Sequence, residues 1–152
     1  MDKLQIKESL IEQCTEYIQE RMDIAEKMMD SAQESANDDT KSSAGDKFET
    51  GRAMMSIERD NHAQQLSKAI FIKSQLDQIN ADSIYDKVTF GAVVKTSLGN
   101  YFIAIAAGRI KVEEEKFFAI SPQAPLAKEM LQKSVGETLV FNDSEIKILD
   151  IF

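Results

Sequence analysis

The chain has 152 residues, of which 26 are acidic and 18 basic, for a formal net charge of −8. That length holds one ordinary domain or two small ones, and a hydrophobic content of 43% excludes wholesale disorder. The acidic balance speaks against a broad phosphate-binding footprint and for a protein partner, or for carboxylates offered to a metal or a basic surface. A single cysteine, Cys14, excludes an internal disulfide and a thiolate zinc cluster, and a single histidine, His62, excludes a multi-histidine metal site. The first residues carry no apolar signal core and no stretch is long enough to span a bilayer, so no membrane role is expected and the expected compartment is the cytoplasm.

In chain order, residues 4–36 come first. Ile11, Cys14, Ile18, Ala25, Met28 and Ala32 fall on one stripe spaced by threes and fours, with Arg21 in an interrupting slot. Glycine and proline are absent, and a helix of this length measures roughly 45–50 Å. Such a helix needs a coiled-coil partner. Residues 48–79 supply one: Phe48, Met55, His62, Leu66, Ala69 and Leu76 repeat at heptad spacing, with Arg52, Arg59 and Lys73 in the remaining slots. The run Asn37–Gly45 between them is polar and turn-like. The expectation is an antiparallel helical hairpin over residues 1–80.

The period changes after Asn80. Val88–Thr96 and Tyr101–Ala106 are β-branched and aromatic, with a turn at Leu98-Gly99-Asn100. Lys116–Ser121 reads as a third strand and Ala124–Lys133 as a short helix with Pro125 in its first turn. Glu137–Phe141 and Glu145–Phe152 read as a closing hairpin around Asn142-Asp143-Ser144. The fold class is therefore α+β, with residues 86–152 forming a small, twisted antiparallel sheet domain.

The segment Ile120-Ser121-Pro122-Gln123-Ala124-Pro125-Leu126-Ala127-Lys128-Glu129-Met130-Leu131, followed by Lys133-Ser134-Val135-Gly136-Glu137, resembles the C-terminal signature of the GreA/GreB transcription elongation factors. Val88-Thr89-Phe90-Gly91 and the closing strand from Glu145 resemble that family too, and so does the order of parts, a long helical hairpin before a compact β domain. The resemblance implies an FKBP-like C-terminal domain that docks at the rim of the RNA polymerase secondary channel. It also implies a coiled coil that enters the channel, and acidic tip residues that help hold a catalytic magnesium ion (Mg) shared with the polymerase while backtracked RNA is cleaved. The chain would then be a monomeric accessory factor in transient contact with the RNA 3′ end, and not itself an enzyme.

The family tip, Gly-Asp-x-x-Glu-Asn, corresponds here to Gly45-Asp46-Lys47-Phe48-Glu49-Thr50. Asp46 and Glu49, three residues apart at a helix start, share a face and can approach one cation, and magnesium favours such hard oxygen donors. Spacing alone also fits a plain helix start, where acids stabilise the dipole and cap free N–H groups. Asp38 and Asp39 form a second acidic pair nearby, read as solvated loop residues or as substitutes at the tip. After Glu49 this chain departs from the family with Thr50-Gly51-Arg52-Ala53. Arg52 puts a cation beside the pair, where it competes with magnesium or contacts RNA phosphate, so occlusion of the channel without cleavage is a second expectation. For polymerase docking the resemblance points to Gln123 and Pro125. Pro125 keeps the family residue, and Gln123 replaces an acid.

His62 and Cys14 fall on the stripes and read as packing residues. The methionines Met22, Met28, Met29, Met54 and Met55 read as adaptable packing in the distal half of the hairpin, and Glu113-Glu114-Glu115 as a solvated turn. Two other classes fit the same parts. One is an FKBP-like prolyl isomerase or chaperone with the hairpin as a client clamp, for which the sequence shows no aromatic-lined cavity. The other is a structural coiled-coil adaptor, disfavoured by the charged slots at Arg21, Arg52, Arg59 and Lys73.

Overall fold

The structure is a computed structural model that describes the backbone of residues 1–42 and 46–152 and the side chains of residues 1–35 and 50–152. It is α+β. Two long helices come first, α1 (Lys3–Ser42) of 40 residues and α2 (Asp46–Leu76) of 31 residues. The strands β1 (Val93–Thr96), β2 (Asn100–Ile103), β3 (Gly108–Val112) and β4 (Glu115–Ile120) follow, then the short helix α3 (Pro125–Met130), then β5 (Thr138–Phe141) and β6 (Ser144–Ile151). The chain groups into two compact units, Met1–Tyr17 with Ser74–Phe152, and Ile18–Lys73.

The polar run from Asn37, expected as a link, is helical up to Ser42. Extending an existing helix adds one hydrogen bond per residue fixed, whereas a new nucleus is costly, so weak helix formers are carried along at the end of a long helix. At the other end, Asp2 caps α1: its carboxylate accepts from the Gln5 backbone N–H (2.8 Å), and the Gln5 side-chain oxygen accepts from the Asp2 N–H (3.0 Å). This is a reciprocal capping pair that satisfies two otherwise orphaned donors.

Among the described residues of the unit Ile18–Lys73 the buried positions are Ile18, Ala25 and Ala32 of α1 and Ala69 of α2. The first three repeat every seven residues. Arg59 of α2 donates to the Gln33 side chain of α1 (3.0 Å) and pairs with Asp60 (2.9 Å). Three of these four side chains are alanine, so the described parts of the two helices bury few large apolar groups.

The other unit is built on a six-stranded sheet in the order β3-β4-β2-β1-β6-β5. It is not wholly antiparallel, as the sequence led us to expect: β2 and β4 run parallel, with Tyr101 opposite Phe118 and Ile103 opposite Ile120. The cause is β3, which was not foreseen. It pairs antiparallel with β4, and inserting it as an edge hairpin lets the chain return beside β2 in the same direction. On one sheet face Val94, Ile103, Ile146, Ile148 and Ile151 pack with Ala127 and Met130 of α3. Alternation sends Val93, Phe102, Phe117 and Ala119 to the opposite face, where all are buried. The start of α1 belongs to this unit, burying Ile6, Leu10 and Cys14. The Gln13 side chain donates to the Lys111 carbonyl (3.1 Å), and the Lys3 ammonium pairs with Asp150 (3.1 Å) and lies 5.4 Å from the Phe152 ring centre.

The expected strand over Val88–Thr96 is real only from Val93. Gly91 has φ +91°, and a Cβ there would sit 3.3 Å from Ile79 and 3.4 Å from the Tyr85 hydroxyl, so the chain turns here and passes close beneath the segment leaving α2. The closing hairpin turns through Asn142 (φ 51°) and Asp143 (φ 64°). Those two left-handed residues are what a two-residue type I′ connection demands. The expected helix over Ala124–Lys133 is shorter, ending at Met130, and its N-cap Ala124 makes no side-chain cap bond.

Candidate functional site

The acidic pair stands where a new helix starts. α2 opens at Asp46, so Asp46 and Glu49 both fall in its first turn. Their side chains, and those of Asp38 and Asp39, lie outside the described residues. Asp38 and Asp39 themselves fall within the bounds of α1 and not in a loop. Gly51 is accommodated inside α2, so the departure from the family tip does not break the helix, and Arg52 on the following position is exposed.

The second predicted pair lies between β4 and α3. The Ala124 N–H donates to the Ser121 carbonyl (3.0 Å) and the Gln123 N–H donates to the Ser121 hydroxyl (3.1 Å), which folds Ser121–Ala124 into a tight turn. Pro125 is the first residue of α3, where its missing N–H costs nothing. Both Gln123 and Pro125 are exposed, so the turn offers a polar amide and a rigid ring together on the surface.

Cys14 is fully buried, and burial pushes its thiol up to about 12, which fits packing and removes it from nucleophilic chemistry. His62 is half-buried. Its Nε2 lies 3.7 Å from a Glu58 carboxylate oxygen, while its buried Nδ1 has no hydrogen-bond partner. Among the described residues no group of three His, Cys, Asp or Glu side chains is placed to hold a metal ion, and no helix is long and apolar enough to cross a membrane.

Two features escaped the sequence reading. Lys7 is a fully buried lysine. Its ammonium donates to the Ser83 carbonyl (2.6 Å) and sits 4.6 Å from the Tyr85 ring centre, and burial pulls its pKa down to about 8. It is still mainly charged at neutral pH, held by a carbonyl and an aromatic face in place of water. The available signal was its register: Lys7 is seven residues before Cys14 on the apolar stripe. The second is an open groove of about 610 Å³ in the unit Ile18–Lys73, with Ile18, Ala25, Ala69 and Ile72 as floor and Arg21 and Lys68 at the rim. Arg21 occupies the slot that broke the α1 stripe, and the helices do not close over it.

No family model, curated protein or solved structure matches the chain.

Proposed function

We propose that this chain is a Gre-type RNA polymerase factor: α1 and α2 form an antiparallel coiled-coil hairpin that enters the secondary channel, and the FKBP-like sheet unit docks at the channel rim. The observation that supports this reading is the order of parts together with the place of Asp46. Two helices of 40 and 31 residues precede a six-stranded sheet with one short helix after β4, and the acidic pair opens the second helix. The bond from Arg59 of α2 to Gln33 of α1 supports a pairing of the two helices. The turn carrying Gln123 and Pro125 is the proposed rim contact.

In this reading Asp46 and Glu49 complete the coordination of a magnesium ion held chiefly by the polymerase, and their hard oxygens suit that ion. When bound, the metal supplies Lewis-acid stabilisation and an activated water for hydrolysis of the RNA backbone. The chain's own part is to deliver two carboxylates to a reaction centre that it does not contain. A second reading, occlusion of the channel without cleavage, draws on Arg52, an exposed cation three residues after Glu49 and six after Asp46. A cation there lowers the affinity of the carboxylates for a metal and suits contact with RNA phosphate.

The test is transcript cleavage by a stalled elongation complex. The native chain should accelerate cleavage and Asp46→Asn with Glu49→Gln should abolish that acceleration while polymerase binding is retained. Binding without acceleration by either protein selects the occluder, and absence of binding removes both readings.

A further inference from the structure

The sheet face that carries α3 is only partly covered. Near α3 it is closed by Val94, Ile103, Ile148 and Met130. Towards the β3 edge the register sets a different row across three strands. Arg109 stands opposite Phe118, and Phe118 opposite Tyr101, so these three side chains share that face. Lys111 stands opposite Lys116 in the next row of the same face. The Phe118 and Tyr101 rings lie 6.0 Å apart, inclined by 33°, and the Arg109 guanidinium lies 5.9 Å from the Phe118 ring centre.

Phe118 keeps 36% of its surface exposed, and Arg109, Lys111 and Lys116 are all exposed. None of these three cations has an ion pair among the described residues. Glu115, the nearest acid on β4, is turned to the other face, where it holds Lys95 (3.0 Å). A chain of net charge −8 thus sets three cations around an aromatic pair on one surface. The overall charge hides this because it averages over surfaces that a ligand never meets together.

We propose that the exposed face of β2, β3 and β4 binds single-stranded nucleic acid, with bases stacking on Phe118 and Tyr101 and phosphates running along Arg109, Lys111 and Lys116. Charge complementarity selects an anionic ligand, and the rings select among anions. A base presents a flat π-face to Phe118, which an acidic peptide does not, and stacking of this kind tolerates any base. Duplexes are excluded because their bases are already stacked and present only their edges. The surface lies wholly within the sheet unit, and the inference does not rest on polymerase binding.

The test uses the whole chain and needs no polymerase. Fluorescence anisotropy would compare labelled oligouridine and oligothymidine of about ten nucleotides with a duplex of equal length. Single strands should bind at least about tenfold more tightly than the duplex. Three neutralised phosphates predict a slope of log K against log salt near −2, at about −0.7 for each phosphate of a single strand. Phe118→Leu keeps the apolar cover but removes the flat ring, and should weaken binding about tenfold. Lys111→Glu with Lys116→Glu should abolish it. Circular dichroism and thermal melting verify that both variants stay folded. The inference is overturned by no binding at about 100 µM in low salt, by Phe118→Leu binding as well as the native chain, or by polyglutamate competing as well as the oligonucleotide, which would assign the face to an acidic protein.

Discussion

The two units distribute their apolar side chains in opposite ways. In the sheet unit Val88, Val93, Val94, Phe102, Ile103, Phe117 and Ile148 are wholly buried, large, and shared between two faces. Among the described residues of the unit Ile18–Lys73 the buried set is one isoleucine and three alanines, while Ile24, Met28, Met54, Ile57 and Phe71 stay half-exposed or more. Burial of a large side chain contributes about 1.5–3 kcal/mol and of an alanine far less, so cohesion is concentrated in the sheet. Among the described residues the helical unit keeps long secondary structure over few buried side chains. The sheet unit carries the stability that holds the chain together in isolation.

The strongest way to break this contrast is truncation on either side of it. Phe117→Ala should cost about 3–5 kcal/mol in urea unfolding, whereas Ile24→Ala, at a side chain 51% exposed, should cost less than about 1 kcal/mol. Similar losses at both sites would mean that the helical unit has a core of its own.

Lys7 gives a second, intermediate effect. Lys7→Ala leaves the Ser83 carbonyl without its donor and opens space beneath Tyr85, a loss of about 1–3 kcal/mol. Lys7→Met removes the same donor but keeps the stem beneath Tyr85, so it should lose less than Lys7→Ala. The pH dependence has a definite sign. The folded-state pKa of about 8 lies below the ordinary value of 10.5, so between these values the unfolded chain holds more protons and native stability rises with pH. That rise should vanish in Lys7→Met, and chemical denaturation at pH 7.5 and pH 10 checks it. The smallest effect concerns the closing turn: Asn142→Ala places alanine at φ 51° and should cost about 1 kcal/mol.

Much of the fold was legible because it rests on local periodicity. Ile18, Ala25 and Ala32 announced the buried side of α1, and Asn142-Asp143 announced the last hairpin. β3 was missed because Gly108-Arg109-Ile110-Lys111-Val112 has only two apolar side chains, alternating with cations on an edge. With β3 missing, the parallel pairing of β2 with β4 could not be foreseen, since that register depends on residues far apart in the chain. Gly91 cut short the first strand through a left-handed backbone that no hydrophobic pattern encodes. For the candidate site, sequence supplied Asp46, Glu49, Gln123 and Pro125 from a resemblance, and structure supplied the helix start and the turn that position them. The carboxylates' geometry lies outside the described residues. The cationic-aromatic face was invisible beforehand because Tyr101, Arg109, Lys111, Lys116 and Phe118 become neighbours only through strand register.

The central claim, entry of the helical unit into the polymerase channel, is tested most directly by proximity. Arg52→Cys provides a single accessible thiol, since Cys14 is fully buried with its pKa raised to about 12. A photoreactive group on that thiol should cross-link to polymerase segments around the active centre in a stalled elongation complex. Cross-links confined to the outer polymerase surface, or none while the chain remains bound, would contradict the account.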